Sequence, residues 1–362
     1  MNKSVFATVE EAVEIIKSGK MIILTDNENR ENEGDLVCAA EFITPEKVNF
    51  MATYGRGLIC VSLTEKRCDE LMLEPMSQNN SCRFGTGFTV SVEARHGVTT
   101  GISAFDRAKT ISVLADPLSK SSDLTRPGHI FPLRAKNGGV LVRQGQTEGS
   151  VDLMRLAGLN HAGVICEIMN DDGTMARMPR LIVFAKEHNL KIVTTADLIK
   201  YRLKHEPIVE EIETALMPSA FGNFQIKGFL NTSDEREAVA IIKGDISGSE
   251  PVLVRVHPQC LTGDIFASSI CGCGKKLQNA LHTIEEVGRG VVLYIYKDTS
   301  KTGFLSSKEG MLTPHNPNDI NTEGYGFGAM CLNMLGLSKI KLIGSSPDAV
   351  TLLSSYGLEI VE

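Results

Sequence analysis

A short stretch near the N-terminus concentrates residues that could bind a metal ion. Residues 27–35 read NENRENEGD, and short apolar runs that are typical of buried strands lie at 21–24 and 36–40. The stretch carries four carboxylates and one arginine: Glu28, Glu31, Glu33, Asp35 and Arg30. Carboxylates held between two core strands suit a hard cation such as magnesium, although a solvated acidic turn has the same composition.

A second stretch has the features of a phosphate-binding site. Residues 143–155 read RQGQTEGSVDLMR, in which Thr147 suits the cap of a helix. The free amides at a helix N-terminus attract phosphate groups, Gly145 lets the backbone approach a ligand, and Arg143 adds positive charge. Helix caps beside glycine and arginine also occur without a ligand, so this pattern alone leaves both interpretations open.

Two residues of the same half are candidates for proton transfer. Glu167 interrupts the apolar run AGVICEI, and a buried carboxylate must be paired, bound to metal or raised in pKa. His129 lies near Arg126 in the Pro/Gly-rich segment RPGHIFPLR, predicted to be a loop, where a histidine can shuttle protons or simply face solvent. Cys60 in GLICVSL either faces the site or packs in the core, and the core is the commoner environment.

Three of the nine cysteines are grouped in the C-terminal half. Cys260, Cys271 and Cys273 have the spacing C-x10-C-x-C. In a chain without secretory features, this spacing suggests a zinc site with a fourth position left open. Reduced structural thiols are the alternative, because C-G-C is less diagnostic than paired C-x-x-C motifs.

Length and composition predict a globular chain of two domains. The chain has 362 residues, of which 42% are hydrophobic and 22% charged. Alternating strand and helix patterns over 1–204 predict one α/β domain, the charged irregular segment 205–221 predicts a linker, and the alternation resumes over 222–362. The predicted fold class is α/β (α+β), with a mixed sheet in each domain.

Charge and hydropathy exclude several function classes. The net charge is −7, and no basic stripe interleaved with aromatics suggests nucleic-acid binding. No apolar run approaches the roughly 20 residues of a membrane span, and the N-terminal residues lack a secretion signal. We therefore expect a cytoplasmic protein without nucleic-acid or membrane partners.

Several long motifs carry a resemblance to a known family. DNENRENEGDLV, FTVSVEARHGVTTGISAFDRA, RPGHIFPLRAKNGGVL and TEGSVDLMRLAG occur in the order found in 3,4-dihydroxy-2-butanone 4-phosphate synthase. The resemblance implies an α/β enzyme of riboflavin biosynthesis and a homodimer with sites near the subunit interface. It also implies that magnesium, or manganese, supports the conversion of ribulose 5-phosphate to the butanone phosphate and formate.

The resemblance implies roles for residues of both stretches. The implied metal ligand of the acidic turn is Glu31. The implied substrate-binding residues are Arg30, Asp35, Arg143, Gly145, Thr147 and Glu167. The implied catalytic residues are His129, Glu167, Asp35 and Glu33. Where the family has a second metal ligand, the histidine of Gly-His-Thr-Glu, this chain has Gln146, so we expect weaker magnesium binding with synthase activity retained.

The C-terminal half resembles GTP cyclohydrolase II, in which cysteines matching Cys260, Cys271 and Cys273 bind zinc. Other motifs of that family have changed, including the lysine missing from GSSPDAV. The altered positions are Ser300 for arginine, Asn321 for aspartate, Glu323 for arginine and Lys276 for glutamine. Because a triphosphate site needs positive charge, we expect no cyclohydrolase activity. A bifunctional enzyme and a non-catalytic regulatory protein are the alternatives.

Overall fold

The computed structural model describes residues 4–28, 30–206, 208–232, 235–296, 307–308, 311–312, 322–344 and 347–361. The chain divides into two compact units, Met1–Tyr201 and Arg202–Glu362. Each unit contains a seven-stranded sheet with both parallel and antiparallel pairs. The predicted fold class, α/β with two mixed-sheet domains, is confirmed.

The first unit surrounds its sheet with helices. Its strands are β1 (Ile22–Thr25), β2 (Gly34–Ala39), β3 (Cys60–Leu63), β4 (Val92–Ala94), β5 (Leu124–Arg134), β6 (Ala162–Glu167) and β7 (Ile192–Thr194). Its α-helices are α1 (Val9–Lys17), α2 (Pro45–Phe50), α3 (Glu65–Glu70), α4 (Ala104–Ala115), α5 (Gln146–Leu156), α6 (Met178–Glu187) and α7 (Thr195–His205). The strand order is β4-β5-β3-β6-β2-β1-β7.

The two apolar runs that flank the acidic stretch form neighbouring strands, as predicted. Every residue of β1 and of β2 is buried, so both faces of this part of the sheet are covered. The strands pair antiparallel with Leu24 opposite Asp35. The acidic stretch is therefore the turn between two core strands, and a core on both sides holds its ends in place.

Two local predictions in the first unit are wrong. The RPGHIFPLR segment is part of β5 rather than a loop, because residues 131–134 pair in parallel with all four residues of β3. On its other side β5 pairs with the short, irregular β4 and has an isolated bridge from Leu133 to Phe88, so the prolines interrupt little regular pairing. The sequence also predicts a strand over 88–92, from the short run FTVSV. The structure instead has isolated bridges at Phe88 and Thr89, and β4 begins at Val92.

The second unit has its own sheet. Its strands are β8 (Val209–Ser219), β9 (Gly222–Asn231), β10 (Glu237–Lys243), β11 (Val252–Pro258), β12 (Gly290–Ile295), β13 (Ser307–Lys308), β14 (Met311–Leu312), β15 (Lys339–Leu342) and β16 (Glu359–Val361). Its helices are α8 (Leu261–Asp264), α9 (Cys273–Val287), α10 (Thr322–Met334) and α11 (Pro347–Ser355). The large sheet has the order β16-β15-β11-β12-β10-β9-β8.

The segment expected to be a linker, 205–221, instead contains an edge strand. Residues 209–219 form β8, which pairs antiparallel with β9 along its length. Most of its side chains are exposed on both faces, so the strand lacks the alternating apolar pattern of a half-buried strand. The charged composition reflects the solvated edge of a sheet rather than an irregular connection.

Candidate functional site

The acidic turn folds around Asp26, a residue that the sequence pattern did not single out. Its side chain has no exposed surface. One carboxylate oxygen, Oδ2, accepts hydrogen bonds from Arg30 Nη1 at 2.8 Å and from the Glu31 amide at 3.0 Å. The other oxygen, Oδ1, accepts from the Glu33 amide at 2.9 Å. Asp26 thus fixes the backbone of the turn, and its position directly after β1 is the sequence signal that could have identified it.

The carboxylates of the turn lie in different environments. Glu31 Oε2 is 2.7 Å from Arg30 Nη1, whereas Glu28 is exposed. Burial, together with the charges of Glu31 and Glu167, raises the pKa of Glu33 to about 7. The turn therefore does not form one uniformly solvated acidic surface.

Asp35 and Glu167 face each other across the sheet. They are register partners of β2 and β6, and Asp35 is only 3% exposed. Asp35 Oδ1 is buried and has no hydrogen-bond partner in the described parts of the chain, while Glu167 Oε2 accepts from the Leu58 amide at 2.8 Å. Burial and the charge of Glu167 raise the pKa of Asp35 well above its usual range, and burial is also the main reason that the pKa of Glu167 is raised. This excess of carboxylates is the environment that a divalent cation neutralises.

The start of α5 differs from the prediction at one residue. Helix α5 begins at Gln146 with Gly145 as its N-cap, so Thr147 is a buried residue of the first turn and not the cap. Glycine is among the favoured N-cap residues, because it adopts the extended N-cap backbone easily even without a capping side chain. The predicted helix N-terminus is nevertheless present at the predicted place.

Arg143 is held rigidly beside this helix start. Its Nη1 donates to Glu148 Oε2 at 2.6 Å, and the Glu148 side chain is only 1% exposed. Its Nε and Nη2 donate to the Phe84 carbonyl at 3.2 and 3.1 Å, and Nη2 also donates to Thr86 Oγ1 at 3.1 Å. Glu148, Phe84 and Thr86 were not predicted as site residues, and only Glu148 lies close enough in sequence to have been suspected.

Two guanidinium groups converge on Gly145. A Cβ atom built on this glycine would lie 2.6 Å from Arg143 Nη1 and 3.0 Å from Arg30 Nη2. Arg30 also donates from Nη1 to Gln146 Oε1 at 3.1 Å, which joins residues 116 positions apart. The structure therefore brings the acidic turn and the helix start into one site. Because Gly145 has no Cβ, both guanidinium groups and the Glu148 carboxylate, whose Oε2 would lie 3.1 Å from that Cβ, can pack close to its backbone.

Gln146 is oriented by Arg30 and not left free. Its carbonyl oxygen, the atom expected to replace the family's histidine as a metal ligand, accepts the hydrogen bond from Arg30. Its amide nitrogen Nε2 is buried without a partner among the residues described. A cation that used this carbonyl would have to compete with a guanidinium, and weaker metal binding stays a prediction.

His129 lies in β5, two residues before the stretch 131–134 that pairs with β3. Glu167 ends β6, and β3 lies between these two strands in the sheet. The His129 ring pairs through Nδ1 with Glu93 Oε2 at 2.9 Å.

Cys60 in β3 belongs to the core. The residue is 2% exposed, and burial raises the pKa of its thiol.

The three cysteines of the second unit form a cluster. The Sγ atoms of Cys260, Cys271 and Cys273 all lie within 4.8 Å of one another. Cys260 and Cys271 are 3.6 Å apart at sulfur. A tetrahedral zinc ion with Zn–S bonds of about 2.3 Å separates its sulfur ligands by about 3.8 Å. The cluster therefore has the donor atoms and spacing that zinc requires.

The altered cyclohydrolase positions are only partly covered by the structure. Lys276 lies in the first turn of α9, and Glu323 belongs to α10. Ser300 and Asn321 lie outside the described residues. In the described part of the chain, no helix combines the length and hydrophobicity needed to cross a membrane.

Family models match both parts of the chain. Residues 10–201 match 3,4-dihydroxy-2-butanone 4-phosphate synthase, and residues 210–362 match GTP cyclohydrolase II. The riboflavin biosynthesis protein RibBA of Aquifex aeolicus is 51% identical over 99% of this chain and 91% of its own. The RibBA protein of Bacillus cereus strain ATCC 14579 is 48% identical over 99% of this chain and 92% of its own.

Solved structures agree with these matches. The crystal structure of RibBX from A. baumannii, a two-domain 3,4-dihydroxy-2-butanone 4-phosphate synthase, has a TM-score of 0.72 and 37% identity and covers 98% of this chain and 100% of its own. A synthase in complex with two magnesium ions has a TM-score of 0.54 and 41% identity and covers 56% of this chain and 99% of its own. The chain therefore belongs to the 3,4-dihydroxy-2-butanone 4-phosphate synthase family and carries a second domain of the GTP cyclohydrolase II family.

Proposed function

We propose that the first domain converts D-ribulose 5-phosphate to L-3,4-dihydroxy-2-butanone 4-phosphate and formate with the help of magnesium. One observation carries this proposal: Arg30 of the acidic turn and Arg143 beside α5 meet at Gly145. A sugar phosphate has hydroxyls that suit a cation at one end and a phosphate that suits arginines and helix amides at the other. Because Arg30 belongs to the carboxylate turn and Arg143 lies beside the helix start, one site offers partners for both ends of the substrate.

The residues of the turn fit a magnesium ion. The carboxylate of Glu31 is a ligand of the required type. Asp35 Oδ1, which has no hydrogen-bond partner among the described residues, and the raised pKa of Asp35 mark a shortage of positive charge. A related synthase has been solved with two magnesium ions. When bound, magnesium stabilises negative charge that develops on adjacent substrate oxygens. Manganese has the same ligand preference and is the alternative ion.

Proton transfer is assigned to the carboxylates with raised pKa. A Glu33 carboxyl with a pKa of about 7 can both accept and donate a proton near neutral pH. Glu167 is held by the Leu58 amide, so its orientation toward Asp35 is fixed. His129 is oriented by Glu93, and in this proposal it serves a more distant part of the substrate.

For the second domain, we propose a cyclohydrolase-like fold that binds zinc at Cys260, Cys271 and Cys273 but does not open GTP. Loss of the arginines at positions 300 and 323 removes positive charge from a triphosphate site, and each lost charge-assisted contact costs about 1.5 to 3 kcal/mol. The A. baumannii neighbour is described only as a two-domain synthase. A bifunctional enzyme is the second candidate, favoured by the match of residues 210–362 to the cyclohydrolase family.

We also propose that the active form is a homodimer. Three large apolar side chains on and around α4 are exposed in the single chain: Phe105 at 71%, Ile102 at 56% and Leu118 at 84%. Large apolar side chains on one helix and its flanks suit a subunit interface where they form a contiguous patch. Sedimentation equilibrium of the purified chain tests this, and a monomer at all concentrations with full activity would contradict it.

The decisive experiment measures formate release from ribulose 5-phosphate and, separately, from GTP. We expect release from ribulose 5-phosphate that depends on millimolar magnesium, and none from GTP with zinc supplied. Glu31→Gln should abolish the magnesium-dependent release of formate. Glu28→Gln, in the same turn but exposed, should retain it. If the native chain is inactive and Gln146→His releases formate, the site has decayed and the regulatory alternative holds. GTP-dependent formate at ordinary turnover establishes the bifunctional enzyme.

A further inference from the structure

Asp264, a carboxylate outside the cysteine cluster, connects Cys260 of the cluster to the sheet. Asp264 Oδ2 accepts a hydrogen bond from the Cys260 amide at 2.8 Å. The Asp264 amide in turn donates to the Cys260 carbonyl at 2.7 Å. Asp264 therefore holds both backbone polar groups of a cysteine that carries one of the three thiols.

The same carboxylate is fixed from the side of the sheet. Tyr294 donates its hydroxyl to Asp264 Oδ2 at 3.0 Å, and His257 Nε2 pairs with Oδ1 at 3.0 Å. His257 and Tyr294 are register partners in the parallel strands β11 and β12, and their rings stack with centroids 5.5 Å apart. His257 is only 2% exposed. Two adjacent core strands thus determine where Asp264 and Cys260 lie.

Gly263, next to Asp264, packs directly on the thiols. A Cβ built on Gly263 would lie 2.6 Å from Cys271 Sγ, 3.0 Å from Cys273 Cβ and 3.2 Å from Cys260 Sγ. Segment 260–264 therefore provides one sulfur, closes over the other two and ends at its anchor on the sheet. On the other side of Cys260, the Gln259 amide donates to the Ile295 carbonyl of β12 at 2.9 Å. Asp264 adds the side-chain anchor that fixes the end of the segment near the helix start that carries Cys273.

We infer that Asp264 is a positioning residue for zinc: with His257 and Tyr294, it holds Cys260 in place for binding the ion with Cys271 and Cys273. The residue contributes no bond to the ion in this assignment. It lowers the cost of ordering the cysteine loop, and partners that orient metal ligands typically change metal affinity by about 10- to 100-fold. The inference rests on the proposed zinc binding.

The test uses the full chain and zinc alone, with affinity measured by competition against a chromogenic chelator. Asp264→Asn should weaken zinc binding by about 10- to 100-fold. The control is Asp245→Asn in the same unit, because Asp245 accepts a backbone hydrogen bond from Ser247 but is exposed and remote in sequence from the cysteines. The control should bind zinc as the wild type does. Cobalt-substituted protein should show altered thiolate-to-cobalt bands for Asp264→Asn only.

The outcomes separate this inference from the zinc assignment itself. Wild-type affinity and an unchanged cobalt spectrum for Asp264→Asn, with zinc lost in Cys260→Ser, would overturn the positioning role alone. A wild-type chain that binds no zinc would overturn both. If Asp264→Asn does not fold, Tyr294→Phe removes a single hydrogen bond to the same oxygen and should still weaken binding several-fold; unchanged affinity there counts against the inference. Ribulose 5-phosphate turnover in the same preparations reports on the first domain independently.

Discussion

Gly145→Ala is the substitution that tests the convergence of the two arginines most directly. The backbone of Gly145 has φ −103° and ψ 164°, a conformation that alanine adopts without strain. The new Cβ would instead lie 2.6 Å from Arg143 Nη1 and 3.0 Å from Arg30 Nη2. Both guanidinium groups must move away from the backbone of residue 145, and the Glu148 carboxylate, with Oε2 at 3.1 Å, leaves little room for the methyl group.

The structure sets the size of the expected effect. Movement of Arg143 strains its 2.6 Å ion pair with Glu148, and a phosphate placed by these groups would lose at least one charge-assisted contact. Such a contact is worth about 1.5 to 3 kcal/mol, which corresponds to a decrease in kcat/KM of about 10- to 150-fold. Because alanine is a poorer N-cap than glycine, we also expect a loss of stability of up to about 1 kcal/mol.

The assay is formate release at varied ribulose 5-phosphate and saturating magnesium, with thermal unfolding in parallel. Gly228→Ala in β9 is the control, since a Cβ there would have no atom closer than 3.9 Å. It should leave kcat/KM unchanged. If Gly145→Ala folds and has the wild-type KM and kcat, then the space between the arginines is not where substrate binds, and the reasoning fails.

Three further predictions concern charge in the turn. The folded state raises the pKa of Glu33 from 4.5 to about 7. The protein without metal should therefore lose stability as the pH rises from about 4.5 to about 7, and magnesium should restore that stability. Calorimetry at pH 5 and 8 checks this. Magnesium affinity should increase with pH over the same range, as proton release in titration calorimetry would show, and a pH-independent affinity would contradict the role of the turn. Asp26→Ala removes three hydrogen bonds that order the turn. It should lower magnesium affinity at least 10-fold and should also lower the turnover of ribulose 5-phosphate. Wild-type magnesium affinity would show that the turn is ordered without Asp26.

Much of the fold is readable from the sequence because its strands are apolar and short. The runs at 21–24 and 36–40 provide most of the fully buried strands β1 and β2, and a helix that the sequence predicts over 275–287 is present as α9, which begins two residues earlier. Strands β8 and β5 are not readable for different physical reasons. Exposure on both faces removes alternation from β8, and two prolines disguise β5, whose pairing depends on partners elsewhere in the chain.

The site shows a similar division between local and non-local information. Residue types and spacing suffice to predict a carboxylate turn and a helix start, because each lies within one short segment. That Arg30 reaches Gln146 and Gly145 is a consequence of packing between residues 116 positions apart. The supports from Phe84 and Thr86 to Arg143 come from a loop with no pattern of its own. Tertiary contacts, not composition, decide these partners.

Arg30 explains how one substitution can change both halves of the site. Its guanidinium bonds Asp26 and Glu31 in the turn and Gln146 on the helix, and it borders the space at Gly145. A glutamine carbonyl keeps Arg30 directed at the helix, whereas a metal-bound histidine has no free acceptor in the same place. Gln146→His should therefore free part of Arg30 for the substrate while adding a ligand for the ion. We expect tighter magnesium binding and a lower KM together, and tighter binding with an unchanged KM would show that Arg30 does not couple the two halves.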